Sequence, residues 1–137
     1  ILVNHIKHGE LLKEYLDILE NKQVYFIRGE VDVEERDKIK KIMETDTNVV
    51  CVAISAIFST GINIKNLHNI IFASGGKSFI RTVQSIGRGL RKHNLKSKLI
   101  IFDVCDRLRY GIRHCEKRKE IYKKEKIKFT ETNIIEK

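Results

Sequence analysis

The stretch VYFIRGEVDVEERDKIKKIMETDTNVVCVAI, residues 24–54, changes periodicity twice. Residues 24–27 are β-branched, aromatic and apolar, as a strand requires. Arg28-Gly29 breaks the run. Residues 33–44 then place Ile39, Ile42 and Met43 on one helical stripe, with Asp32 and Glu35 spaced as a capping box. Residues 49–54 return to a short apolar run. Two apolar strands flanking an amphipathic helix form a strand–helix–strand unit, whose strands are parallel and covered on both faces.

The pattern extends in both directions. Further strand-like runs are residues 1–4, 70–73, 99–104 and 127–132. Helical spacing fills residues 8–20, where Leu12, Tyr15, Leu16 and Leu19 form one stripe, and residues 79–93. A last helix covers residues 107–125, with Leu108, Ile112, Cys115 and Tyr122 as its apolar side. This predicts an α/β fold with a mostly parallel central sheet and helices on both faces. Residues 1–105 form the core, and residues 106–137 add a basic helix and a final strand packed on the same domain. Ligands of such sheets bind beyond the carboxyl ends of the strands.

At 137 residues the chain has the length of one domain and can bury a core without metals. No apolar run approaches the ~20 residues of a membrane span. Ile1-Leu2-Val3 opens as a strand, with no charged leader, and reads as the start of a piece of a longer protein. Cys51, Cys105 and Cys115 are odd in number and form no C-x-x-C pair, which predicts reduced thiols in a cytosolic protein rather than a disulfide framework or a zinc site. The net charge of +9 suits a polyanionic partner, or equally lysines that only keep the chain soluble. Ten Lys/Arg and three Glu between Arg107 and Lys128 concentrate it. Such a helix reads equally as a nucleic-acid-facing surface or a solvated one.

Residues 79–93 carry the chemistry. At 100° per residue, Phe79, Val83, Ile86 and Leu90 share an arc of about 60° that suits packing on the sheet. Gln84, Arg88 and Arg91 share a second arc about 140° away. Gly87 and Gly89 flank Arg88, at a cost of about 1 kcal/mol each relative to Ala in a helix interior. Two guanidinium groups beside little bulk fit a phosphate. A solvated basic face with incidental glycines explains the helix equally well by itself.

The run Gln84-Ser85-Ile86-Gly87-Arg88-Gly89-Leu90-Arg91 matches Q-x-x-G-R-x-x-R and resembles motif VI of superfamily 2 helicases. Ser59-Thr60-Gly61-Ile62-Asn63-Ile64 looks like motif V, and Ile1-Leu2-Val3-Asn4 like motif IV. Phe26-Ile27-Arg28-Gly29-Glu30 with Glu34-Glu35-Arg36 is similar to a further family segment. The motifs come in family order over residues 1–103 and look closest to phage members that remodel forks and act in recombination.

The resemblance implies a RecA-like three-layer domain, the second of two motor domains of an ATP-dependent DNA helicase or translocase. Arg91 would be the arginine finger, Arg88 its partner on the phosphates, and Gln84 the sensor of the γ-phosphate. Gly61 and Asn63 would face the nucleotide. The family usually has Asp at the second position, so Asn63 is the weaker acceptor. Asn4, Ser55 and Thr60, with Arg28 and Gly29, would meet nucleic-acid phosphates. ATP and Mg2+ would be held mainly by an N-terminal RecA-like domain, with no ATPase in this stretch alone. Branched DNA or a single-stranded/duplex junction would be the partner, with RNA also possible, in the cytoplasm (the host's, for a phage protein). Two alternatives are a nucleic-acid-binding module that has lost its motor and the translocase domain of a restriction enzyme.

Gly75-Gly76-Lys77-Ser78 looks like the end of a Walker A loop, but Ile71 stands where the first glycine belongs. A glycine turn is the better account, with Lys77 free to touch a nucleic-acid phosphate. Asp103 and Asp106 read as loop carboxylates before a metal pair, and His5 and His8 lack a third ligand. No metal site is expected. Tyr110, Tyr122 and Phe129 suit packing of the last helix, with base stacking the alternative.

Overall fold

A computed structural model describes residues 1–29, 32–58, 67–75, 79–81, 83–84 and 98–134. In chain order the elements are β1 (Leu2–Val3), α1 (Ile6–Asp17), β2 (Gln23–Ile27), α2 (Val33–Thr45), β3 (Val49–Ile54), the short α3 (Ser55–Phe58), β4 (Asn69–Phe72), β5 (Ile100–Asp103) and α4 (Arg109–Lys124). Residues 79–81 and 83–84 are helical.

The five strands form one sheet in the order β2-β3-β1-β4-β5, and every neighbouring pair is parallel. β2 lies beside β3 from Gln23↔Val49 to Ile27↔Ala53, and β4 beside β5 from Asn69↔Ile100 to Phe72↔Asp103. The centre of the sheet is sequence-distant: Leu2 of β1 pairs Ala53 on one side and Phe72 on the other.

Side-chain alternation sorts the two faces. Leu2, Ile27, Ala53, Ile70 and Phe72 join Ile39 of α2, Phe79, Val83 and Tyr122 of α4 in one core. On the other face Val3 and Phe26 meet α1 at Gly9, where a methyl group would fall 2.5 Å from the Phe26 ring. Glycine thus sets how closely α1 approaches the sheet. Asp32 opens α2 by accepting from the Val33 N–H at 2.6 Å, with Glu34 and Glu35 in the first turn where the helix dipole favours acids. Helices therefore cover both faces of an all-parallel sheet.

Three expectations need correction. Residues 127–132 join no strand pairing; Tyr122 and Phe129 pack ring on ring, and the tail follows α4 instead. The stripe on α1 divides: Leu12 and Leu16 lie half-buried on the Gly9 side, while Tyr15 is 65% exposed and Leu19 faces solvent. On α4 the buried residues are Gly111, Cys115, Arg118 and Tyr122, with Leu108 and Ile112 exposed. An arginine occupies the place of an aliphatic residue because a carboxylate waits beneath it.

Candidate functional site at the carboxyl edge of the sheet

Parallel strands put all their carboxyl ends on one edge. Asn4 follows β1, Arg28 and Gly29 follow β2, Ser55 follows β3, Ser74 and Gly75 follow β4, and Val104 to Asp106 follow β5. Residues scattered over the sequence are thus gathered along one rim.

At its centre is an interlocked cluster. The Asn4 backbone N–H donates to Ser74 Oγ at 3.0 Å. Asn4 Nδ2 donates to the Gly75 carbonyl at 2.8 Å, and Ser55 Oγ donates to Asn4 Oδ1 at 2.8 Å. Asn4 therefore ties β1 to the segments after β3 and β4, the two strands on either side of it. Ser55 is only 4% exposed, so its hydroxyl serves Asn4 and does not reach the surface. Sequence reading brought Asn4 and Ser55 together but missed Ser74, which carries no motif.

The β2 end is more open. Arg28 Nη1 donates to Glu10 Oε1 of α1 at 3.1 Å, an exposed ion pair of small energetic weight. Arg36 Nη2 donates to the Gly29 carbonyl at 3.0 Å, which fixes that turn from α2. A Cβ at Gly29 would meet no atom within 4 Å among the described residues.

The β5 end is locked. Asp103 Oδ2 accepts from Arg118 Nε at 2.8 Å and from Tyr122 Oη at 2.7 Å. Arg118 is 1% exposed, and its guanidinium lies 6.0 Å from the centre of the Phe79 ring, which stacks in turn on Phe72. Burial, followed by the bond to the Asp103 carboxylate, pushes the Tyr122 hydroxyl far above its usual range, so it is always a donor here. Asp106 Oδ1 accepts from the Leu108 N–H at 3.0 Å. Asp106 also fills the space a side chain at Gly111 would need. The two aspartates serve separate structural partners, and no group of three His, Cys, Asp or Glu suited to a metal occurs among the described residues.

Cys105 and Cys115 form a disulfide, with Cα atoms 5.9 Å apart. This overturns the expectation of three free thiols. Spacing alone hid it, because the link depends on α4 folding back over the end of β5. Cys51 is free, and burial pushes its thiol up to about 11.

Of the residues expected to form motif VI, Gln84 is described: it is helical and half-buried, one position after the fully packed Val83. Phe79 and Val83 face the core, as the helical stripe predicts. Thr60, Gly61, Asn63, Lys77, Arg88 and Arg91 lie outside the described residues. No helix among the described residues is long and apolar enough to cross a membrane.

Three comparisons converge on these features. Residues 1–93 match the family model of the helicase conserved C-terminal domain. The ATP-dependent DNA helicase uvsW of Enterobacteria phage T4 is 40% identical over 108 residues, 77% of this chain and 21% of that protein. The crystal structure of T4 UvsW superposes with a TM-score of 0.69 and 34% identity, over 90% of this chain and 28% of that one. The chain thus spans 21–28% of the relative it matches. With its five-stranded parallel sheet in the RecA-like arrangement of that helicase, the chain belongs to the helicase conserved C-terminal domain family.

Proposed function

We propose that this domain is the second motor domain of an ATP-dependent DNA helicase or translocase of the phage recombination and fork-remodelling type. ATP would bind between it and an N-terminal RecA-like domain of the same protein. The observation that carries the reading is the shared carboxyl edge. Asn4 and Ser55, from the motif IV and β3 segments, interlock with Ser74 and Gly75, at the edge where α/β sheets bind their ligands.

On this reading the motif VI helix presents Gln84, Arg88 and Arg91 across the cleft. Arg91 places a guanidinium on the charge that develops as the γ-phosphoryl group leaves, and Arg88 steadies the phosphates. Gln84 reports the γ-phosphate to the rest of the domain. Gly61 and Asn63 line the nucleotide from the motif V side. Mg2+ and most ATP contacts would belong to the other motor domain.

The nucleic-acid strand would run along the remaining rim, past Asn4, Arg28, Gly29, Thr60 and Lys77. Ser55 would act on it through Asn4. Neutral and backbone groups along a strand favour movement without sequence preference. The protein would work in the cytoplasm. The test is ATP hydrolysis by the full-length protein with and without DNA. Hydrolysis stimulated by single-stranded or forked DNA supports the reading; tight DNA binding with no hydrolysis at any DNA concentration overturns it.

A further inference from the structure

The solvent side of α4 lies outside the expected motif segments in sequence. Gly111, Cys115, Arg118 and Tyr122 are its buried side. At 100° per residue, Arg109, Arg113, Lys117 and Lys124 fall within an arc of about 80° on the opposite side. All four are exposed, and none forms an ion pair among the described residues. The acids nearby are largely engaged elsewhere. Glu116 and Glu131 both bind Lys119, at 2.8 and 2.9 Å, on the helix flank. Glu120 is the single acid within the basic arc.

The stripe is mounted on a rigid element. The Arg118–Asp103 pair and the Tyr122–Asp103 hydrogen bond fasten α4 to the end of β5. It also starts at the carboxyl edge: Asp106, just before α4, lies 3.5 Å from the Cβ position at Gly75, whose carbonyl holds Asn4. Arg109, Arg113 and Lys117 stand about 6 Å apart along the axis and Lys124 about 10 Å further on, so the stripe is about 22 Å long. That matches about six phosphates of one strand at 3.4 Å each. The arc holds no apolar side chain. A protein partner would want the reverse, an apolar centre with charges at the rim.

We propose that Arg109, Arg113, Lys117 and Lys124 form a phosphate-tracking surface that carries a nucleic-acid strand beyond the motif-lined rim. The proposal rests on the nucleic-acid reading above. It assigns strand binding to a helix outside the residues 1–93 that match the family model. Such binding is electrostatic and sequence-independent, so salt dependence is its signature.

The experiment uses the full-length protein and a labelled single strand of mixed sequence, with affinity measured over a range of salt. The variant Arg109→Gln/Arg113→Gln/Lys117→Gln is compared with Lys22→Gln/Lys38→Gln/Lys41→Gln, which removes the same charge from exposed positions elsewhere. The α4 variant should weaken binding and flatten the slope of log affinity against log salt by about two, at ~0.7 for each phosphate no longer neutralised. The control should leave the slope unchanged. Glu120→Gln, which breaks no ion pair among the described residues, should tighten binding. An α4 slope equal to wild type, or a control whose slope falls as much, overturns the surface while leaving the motor reading intact. A wild-type protein that binds no strand at any salt overturns both.

Discussion

Arg118 Nε lies 2.8 Å from Asp103 Oδ2, joining the middle of the last helix to the end of the edge strand. The guanidinium is almost wholly buried and rests against Phe79, at the start of the helical segment that leads to Gln84. Arg118 therefore links three elements: β5, α4 and the helical segment that begins with Phe79.

Breaking that pair from one side strands a charge. Arg118→Ala leaves the Asp103 carboxylate with Tyr122 alone and is expected to destabilise the domain by about 3 kcal/mol or more. Arg118→Met with Asp103→Asn, which removes both charges, is expected to recover much of that stability. Denaturant unfolding of the wild type, the single variants and the double variant measures this. Effects that simply add would show that the two side chains do not act as a pair.

Gly9 faces Phe26 with no room for a methyl group. Gly9→Ala gains helix propensity but must push α1 away from the sheet. Overpacking dominates, and a net destabilisation of about 1–3 kcal/mol is expected. A thermal melt of Gly9→Ala at or above the wild-type midpoint would show that α1 shifts freely.

Without reductant, mass analysis should find Cys105 and Cys115 joined and Cys51 free. Opening this short loop, by Cys105→Ser or by a dithiol reductant, is expected to lower stability by up to about 3 kcal/mol on the chain-entropy account. Cys51 stays protonated until the pH approaches about 11, so it should alkylate slowly at neutral pH in the folded protein and quickly once unfolded. Equal alkylation rates in the two states would place its thiol in water.

The parallel sheet was legible in the sequence because β2, α2 and β3 switch cleanly between two periodicities, and β3 forms over residues 49–54, where the apolar run predicts it. Phe79 and Val83 were legible for the same reason, as one stripe of a helix that packs on the sheet. What stayed hidden depends on distant segments meeting in the fold. Nothing near Arg118 in sequence announces that Asp103 will neutralise it, so it reads as one more cation in a basic tail. The α1 stripe divides because Gly9, Leu12 and Leu16 share one side of the helix, whereas Tyr15 lies about 120° from Gly9 and Leu19 falls beyond the helix end. The final run at residues 127–132 has strand composition, but Phe129 packs against Tyr122 and the run pairs with no strand among the described residues.

The site divides along the same line. The resemblance placed both Asn4 and Ser55 on nucleic-acid phosphates; in the structure Ser55 Oγ donates to Asn4 Oδ1 at 2.8 Å. Burial then shows that Ser55 supports Asn4, a distinction that no pattern of residue types contains. Ser74 entered only because β4 ends beside β1.

The most direct test of the central claim is Arg91→Ala in the full-length protein, with DNA-stimulated ATP turnover and nucleotide affinity measured separately. An arginine that acts on the transferred phosphoryl group predicts a fall in turnover of ~10³-fold with nucleotide binding changed far less. Turnover at the wild-type rate would contradict the account and remove Arg91 from the mechanism.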